Sequence, residues 1–338
     1  MTTATVPARP PAPALDLRVL AIACVVAFNL QSGIFTVGPL LTQLSSDLGL
    51  SGSMAGLLAA IPALMMGIVA IPAGRLADRW GADRTVALGL AIVAVSGALR
   101  GLAPGWPMLA LMTVLFGIGT GILQPSIPPM IRRHFPGRVG AATGIFTFAW
   151  ILGIMAASGL TGPLIAPHAG GWRGSFVFWG AMAGVALAIW LIGMRPWRPA
   201  PAIAPAQHRE HVAPDANWSP WSDRSVWIAG ALYAGQGLVY YLLVLWLPAV
   251  YAAAGVSEAG TGARLMALSA ACIPATFLIP LWSDRIGSRR LPMIVSAAIT
   301  LVSAIGFVVV TATPPLDWLW PICAGFGTCG ILVTVLVL

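Results

Sequence analysis

The side chains of this sequence that could do chemistry are few and almost all uncharged. Asn29, Gln31, Gln124, Gln236, Tyr240 and Tyr241 interrupt stretches that are otherwise apolar. An amide donates and accepts hydrogen bonds at once, so the four amides suit a small polar solute that gives up its hydration shell. The structural alternative is hydrogen bonding between helices, worth about 0.6 kcal/mol per bond in a membrane. For the two tyrosines the plainer alternative is aromatic packing. Arg100 is the charged member of the group. It reads either as a long side chain snorkelling its guanidinium to an interface or as an attractor for anions.

The missing residue types narrow the chemistry further. None of the ten Asp and Glu falls inside an apolar stretch, so no carboxylate is placed there to carry a proton. Nor does any such stretch hold a His–carboxylate cluster or an activated Ser, and no enzyme activity is expected. Cys24, Cys272, Cys323 and Cys329 show no metal-ligand spacing and lie among apolar residues. They read as small buried hydrophobes rather than a disulfide framework. His208 and His211 stand three apart in a Pro-rich polar segment, where no metal site is expected. No cofactor and no metal are expected anywhere in the chain.

The elements that position these residues must lie in lipid. Of 338 residues 58% are hydrophobic and 8% charged, against about 25% charged in a soluble domain. That excludes a water-soluble enzyme and, despite a net charge of +8, a nucleic-acid-binding protein. A helix needs roughly 20 apolar residues to cross the hydrocarbon core. Ten stretches qualify: residues 19–41, 53–72, 85–102, 108–130, 140–165, 175–194, 226–250, 262–281, 291–310 and 318–338. The first is too long for a signal-peptide core, and the Pro-rich residues before it form a tail, 1–18.

All 18 basic residues are Arg, and their distribution sets the orientation. With the N-terminus cytoplasmic, 15 of them fall inside and three (Arg100, Arg173, Arg264) do not. The positive-inside rule then places the N-terminus in the cytoplasm. The longest polar stretch, 195–224, becomes a cytoplasmic linker between a six-helix bundle, 19–194, and a four-helix bundle, 225–338. The Arg-only basic set, with abundant Ala, Gly and Pro, points to a GC-rich bacterial genome.

A repeat runs through this pattern. The loop after span two reads Gly74-Arg-Leu-Ala-Asp78-Arg79-Trp-Gly81-Ala-Asp83-Arg84. The loop after span eight reads Pro280-Leu-Trp-Ser-Asp284-Arg285-Ile-Gly287-Ser-Arg289-Arg290, 206 residues later. Gly117-Ile-Gly119-Thr120 in span four returns as Gly325-Phe-Gly327-Thr328 in span ten, 208 residues later. Two matches at nearly one offset indicate two homologous halves, parallel because an even number of spans separates them.

The doubled loop resembles the signature of the major facilitator superfamily, with Asp83 and Pro280 standing where a basic residue and Gly are usual. The resemblance covers essentially the whole chain. It implies an all-α membrane protein with the superfamily fold, six helices and then an incomplete second half of four. By the offset, about 65 residues equivalent to spans five and six of the first half are missing. The expectation is therefore a truncated or frameshifted twelve-helix protein, with a true ten-helix transporter as the alternative. The resemblance also implies a conformational latch built from Gly74, Asp78, Arg79, Gly81 and Arg84, and from Asp284, Arg285, Gly287, Arg289 and Arg290. In it each Asp meets the N-terminus of a facing helix, a contact worth about 0.3–1 kcal/mol. Asp78 would have lost its partner with span eleven, whereas Asp284 would meet span five near Gly140.

Within that superfamily, Asn29-Leu-Gln31, Ala98-Leu-Arg100, Gly119-Thr-Gly-Ile-Leu-Gln124 and Leu245-Trp-Leu-Pro248 resemble the cyanate and nitroimidazole transporter branch. Gln31 departs from it, since that branch usually carries Arg there. The resemblance implies a substrate pathway along spans one, four, seven and ten, lined by Asn29, Gln31, Gln124, Gln236, Tyr240 and Tyr241, with Arg100 at its mouth. The expected activity is alternating-access transport of a small polar or anionic solute across the bacterial inner membrane, by a monomer whose partners are the lipid bilayer and that small molecule. The alternatives are a drug–proton antiporter, for which Gly153 and Gly162-Pro163 give a partial signature, and a non-transporting remnant or membrane sensor.

Overall fold

The computed structural model describes residues 16–136, 138–194, 223–309 and 318–336, all helices and short turns. The tail before residue 16 and the linker at 195–222, with His208 and His211, lie outside the described residues. Nine helical segments there are long and apolar enough to cross a membrane, and a tenth, shorter apolar helix follows at 319–335. Over their described residues the ten stretches read from hydropathy thus lie on helices.

Span one is α1 (Leu17–Asn29), α2 (Ser32–Phe35) and α3 (Val37–Leu48). Asp16 caps it, its carboxylate accepting the backbone N–H groups of Arg18 and Val19 at 3.0 and 3.3 Å, two donors that a helix start otherwise leaves unmatched. Span two is α4 (Gly52–Trp80), span three α5 (Ala82–Gly101) and span four α6 (Trp106–His134). Helix α6 runs unbroken past Pro125, Pro128 and Pro129. Span five is α7 (Val139–Leu160), a π-helical turn (Thr161–Ile165) holding Gly162-Pro163, and the short α8 (Ala166–Ala169). Span six is α9 (Gly171–Met194), and α10 (Arg224–Ala253), α11 (Glu258–Ile286), α12 (Arg290–Val309) and α13 (Leu319–Leu336) follow as spans seven to ten.

The two halves repeat in their structural devices. Helices α4 and α11 both have 29 residues and begin 206 residues apart. Ser51 and Ser257 cap them identically, each hydroxyl accepting a backbone N–H three residues on, from Met54 and Gly260. Both helices end on a glycine with positive φ, Gly81 at 87° and Gly287 at 61°, a backbone region that residues with a Cβ enter only at a cost. Thr120 donates to the carbonyls of Phe116 and Gly117, and Thr328 to those of Ala324 and Gly325. A Cβ on Gly117 would meet Pro62 of α4, and one on Gly325 would meet Leu268 of α11, the residue 206 further on. Glycine at these positions lets helix backbones approach closely where lipid supplies no hydrophobic drive.

Two expectations are corrected here. Span one is not one continuous helix. At Gln31 the backbone leaves helical geometry (φ −130°, ψ 4°) and divides the span. Hydropathy is blind to such a break because every residue around it remains buried. Second, Cys272 of α11 and Cys329 of α13 form a disulfide, with Cα atoms 5.2 Å apart. They are 57 residues apart in sequence, and only the close α11–α13 packing at Gly325 brings them together. Cys24 and Cys323 are free and half-buried.

Candidate functional site

The interruption of span one gathers the polar side chains that the sequence singles out. Asn29 ends α1, buried, with its Nδ2 donating to the Val25 carbonyl at 2.9 Å and its Oδ1 buried without a hydrogen-bond partner. Gln31 occupies the break itself and is buried. Next comes Gly33, where a Cβ would lie 2.6 Å from Phe116 Cζ and 3.0 Å from Arg100 Nη2. The missing side chain therefore lets spans three and four close on the break. Phe35 then faces span seven, its ring centroid 5.8 Å from that of Tyr240 and 5.2 Å from that of Tyr241. This aromatic group, Phe35 of the first half against two tyrosines of the second, joins the two halves.

Gln124 is half-buried in α6 and Gln236 buried in α10. The side chains of Gln31, Gln124 and Gln236 make no hydrogen bond to the described residues, so these amides are not glue between helices. Aromatic packing, by contrast, holds for both tyrosines.

Arg100 overturns the snorkelling reading. It is 0% exposed. Its Nη2 donates to the Gly33 carbonyl at 3.0 Å, and its guanidinium carbon lies 4.0 Å from the Phe116 centroid and 4.5 Å from the Phe176 centroid. Interior ring faces hold it, not an interface.

At the end carrying the Asp-Arg loops, Asp78, Arg79, Arg84, Arg285 and Arg290 are exposed. Among the described residues Asp78, Arg79, Arg84 and Arg285 form no ion pair, and a Cβ on Gly74 or Gly140 would meet nothing within 4 Å. The Asp284 side chain lies outside the description, while Gly287 closes α11 and Arg289 is exposed. The ion pairs at this end are instead local. Asp83 receives His134 Nε2 at 2.8 Å and Arg133 Nη1 at 3.5 Å, and Trp190 Nε1 donates to its backbone carbonyl at 3.1 Å. Sequence reasoning passed over this cluster. The one available signal was Asp83 itself, an acid where the repeated loop is otherwise basic.

The opposite end is sealed between halves. A Cβ on Gly38 would lie 2.8 Å from the Val244 carbonyl oxygen, and Gly159 and Gly262 meet backbone to backbone, with Met266 against Gly159. Val37, Leu40, Leu41 and Leu44 pack there with Leu58 and Leu245 into one buried apolar cluster.

A two-half helical bundle with paired loops and a broken first span is compatible with several transporter folds, and comparison decides among them. The family profile of the Major Facilitator Superfamily matches residues 23–338. The chain belongs to the major facilitator superfamily. It is similar to the cyanate transport protein CynX of Escherichia coli (strain K12), 28% identical over 320 residues covering 94% of this chain and 80% of that protein. It is similar also to the 2-nitroimidazole transporter of Escherichia coli (strain K12), 27% identical over 307 residues covering 90% of this chain and 74% of that one. Among solved structures, a bacterial homolog of the human lysosomal transporter Spinster, inward-facing and unoccupied, superposes with a TM-score of 0.79 at 19% identity. That match covers 96% of this chain and 75% of the other. The superfamily and its transport role stand on these matches.

Proposed function

We propose that this protein moves a small polar or anionic solute, cyanate-like or nitroimidazole-like, across the bacterial cytoplasmic membrane by alternating access, with the N-terminus in the cytoplasm. The observation that carries this reading is the break in span one, where Asn29 Oδ1 is buried without a hydrogen-bond partner among the described residues, beside the buried Gln31. Irregular backbone at membrane depth is tolerated only inside protein or beside a cavity, and interrupted helices mark substrate sites near the midplane of transporters. Gln124, Gln236, Tyr240 and Tyr241 extend the site into spans four and seven. The names of the two transporter relatives support the solute class.

In this reading the described state is sealed on the outside, through Gly159–Gly262 and Gly38–Val244, and released on the cytoplasmic side. The Asp78-Arg79 and Asp284-Arg285 loops are a latch that engages when the bundles rock the other way. A six-helix first bundle at 19–194, the linker at 195–224 and a second bundle from 225 complete the arrangement.

Uptake of labelled cyanate and of labelled 2-nitroimidazole into vesicles holding the protein tests this. Saturable uptake of at least one, lowered tenfold or more by Asn29→Ala at equal membrane abundance, is expected. Uptake of both no faster than in empty vesicles removes the reading.

A further inference from the structure

Arg100 is a buried cation for which the described residues supply no counter-charge. Of its three guanidinium nitrogens only Nη2 has a partner, the Gly33 carbonyl at 3.0 Å, while Nε and Nη1 are buried without one. Nε carries one N–H and Nη1 two, and a guanidinium accepts no hydrogen bond. Nε and Nη1 alone therefore leave three donors without an acceptor, of the five that a guanidinium carries. The rings of Phe116 and Phe176 cover the charge at 4.0 and 4.5 Å, an attraction to the ring quadrupole that satisfies none of those N–H bonds. Among the described residues no carboxylate pairs with it, and all ten Asp and Glu of the sequence lie outside the apolar spans. A charge taken out of water is costly unless it is paired and hydrogen-bonded, and a guanidinium does not readily escape that cost by shedding its proton.

The missing partner has definite properties. It carries a negative charge, offers lone pairs in the plane of the fork, as carboxylates and phosphates do for arginine, and is small, because Gly33, Phe116 and Phe176 already crowd the group. We propose that Arg100 is an anion-binding group, holding a small monovalent anion such as a planar oxyanion or pseudohalide beside the break in span one. It deepens the transport reading by naming the charge of the solute and the residue that selects it. Arg100 is then not at the mouth of the pathway but in its interior, reached from span three. A purely structural Arg100, clamping the Gly33 carbonyl, would stiffen the break without responding to anions.

The test is thermal unfolding of the purified full chain in detergent at constant ionic strength, with sodium gluconate replaced stepwise by sodium nitrate, cyanate or formate. The expected result is a saturable rise in Tm with at least one of the small anions. Sodium sulfate should give none. Arg100→Gln is expected to abolish the rise. Arg100→Lys, which keeps the charge but loses the planar fork, is expected to weaken the apparent affinity at least tenfold. The absence of a saturable rise in the unaltered protein overturns the proposal, as does an equal rise in Arg100→Gln. Should Arg100→Gln fail to fold, an unchanged affinity in Arg100→Lys overturns it. Vesicle uptake is read separately: a protein that binds the anion without carrying it keeps this inference and loses the transport reading.

Discussion

His134 Nε2 lies 2.8 Å from Asp83 Oδ1, joining the last turn of α6 to the first turn of α5. The His134 side chain is fully enclosed, and the Asp83 carboxylate also stands near Arg133 and at the start of a helix, where a negative charge is favoured. Asp83 is thus the acidic hub of the first half at the end that carries the Asp-Arg loops.

Restoring the basic residue usual in the repeated loop should therefore harm this protein. Asp83→Arg removes the acceptor from His134 and sets a cation beside Arg133. Loss of a buried hydrogen-bond partner costs about 1–3 kcal/mol, so Tm should fall by several degrees. A double-mutant cycle with His134→Ala checks it: the two changes together should cost clearly less than the sum of each alone.

Gly33 should tolerate nothing larger. In Gly33→Ala the new Cβ would sit 2.6 Å from Phe116 Cζ and 3.0 Å from Arg100 Nη2. Overpacking of this kind costs about 1–3 kcal/mol. The expected outcome is a lower Tm together with slower uptake in vesicles. Gly74→Ala, whose Cβ meets nothing within 4 Å, should leave Tm unchanged.

The contact of Gly159 with Gly262 should control which side is open. A Cβ on Gly262 would collide with the Gly159 carbonyl oxygen and stand 3.1 Å from Pro163 Cγ. In the proposed transport cycle, Gly262→Val should therefore prise this end apart and shift the population towards the state in which the proposed latch at the Asp-Arg-loop end is closed. Maleimide labelling of a cysteine placed at Asp78, in a background without the native free thiols, should slow several-fold. Unchanged labelling would show that this contact does not govern the switch.

Thiol counting checks the α11–α13 link. Denatured without reductant, the chain should expose two reactive thiols, from Cys24 and Cys323, and four after reduction. Cys329→Ser should release Cys272 and give three in both conditions.

Much of the architecture was written in local sequence. Hydropathy alone placed ten helices, because lipid leaves a spanning chain only helix or closed barrel. The offset of 206 residues between the two Asp-Arg loops carried over into helix length, serine caps and terminal glycines, since each of these depends on a few neighbouring residues. The Gly-Thr echo was legible for the same reason: Thr120 and Thr328 bond to carbonyls three and four residues back.

The site was legible by residue type but not by arrangement. Asn29, Gln31 and Gln236 stood out as polar groups in apolar runs, yet nothing local shows that span one breaks at Gln31. Phe35, Phe116 and Phe176 are silent in sequence because an aromatic residue in a membrane helix is ordinary.

By itself the sequence determined the solvent, the spans and their duplication, all of which follow from short-range periodicity and from the cost of polar groups in lipid. The tertiary structure alone decided that Arg100 reaches the Gly33 carbonyl 67 residues away, that Cys272 pairs with Cys329, and that the halves meet backbone to backbone at Gly159 and Gly262. The physical reason is common to all three: each depends on which helix faces give way to small residues, and close backbone approach is a property of two surfaces together.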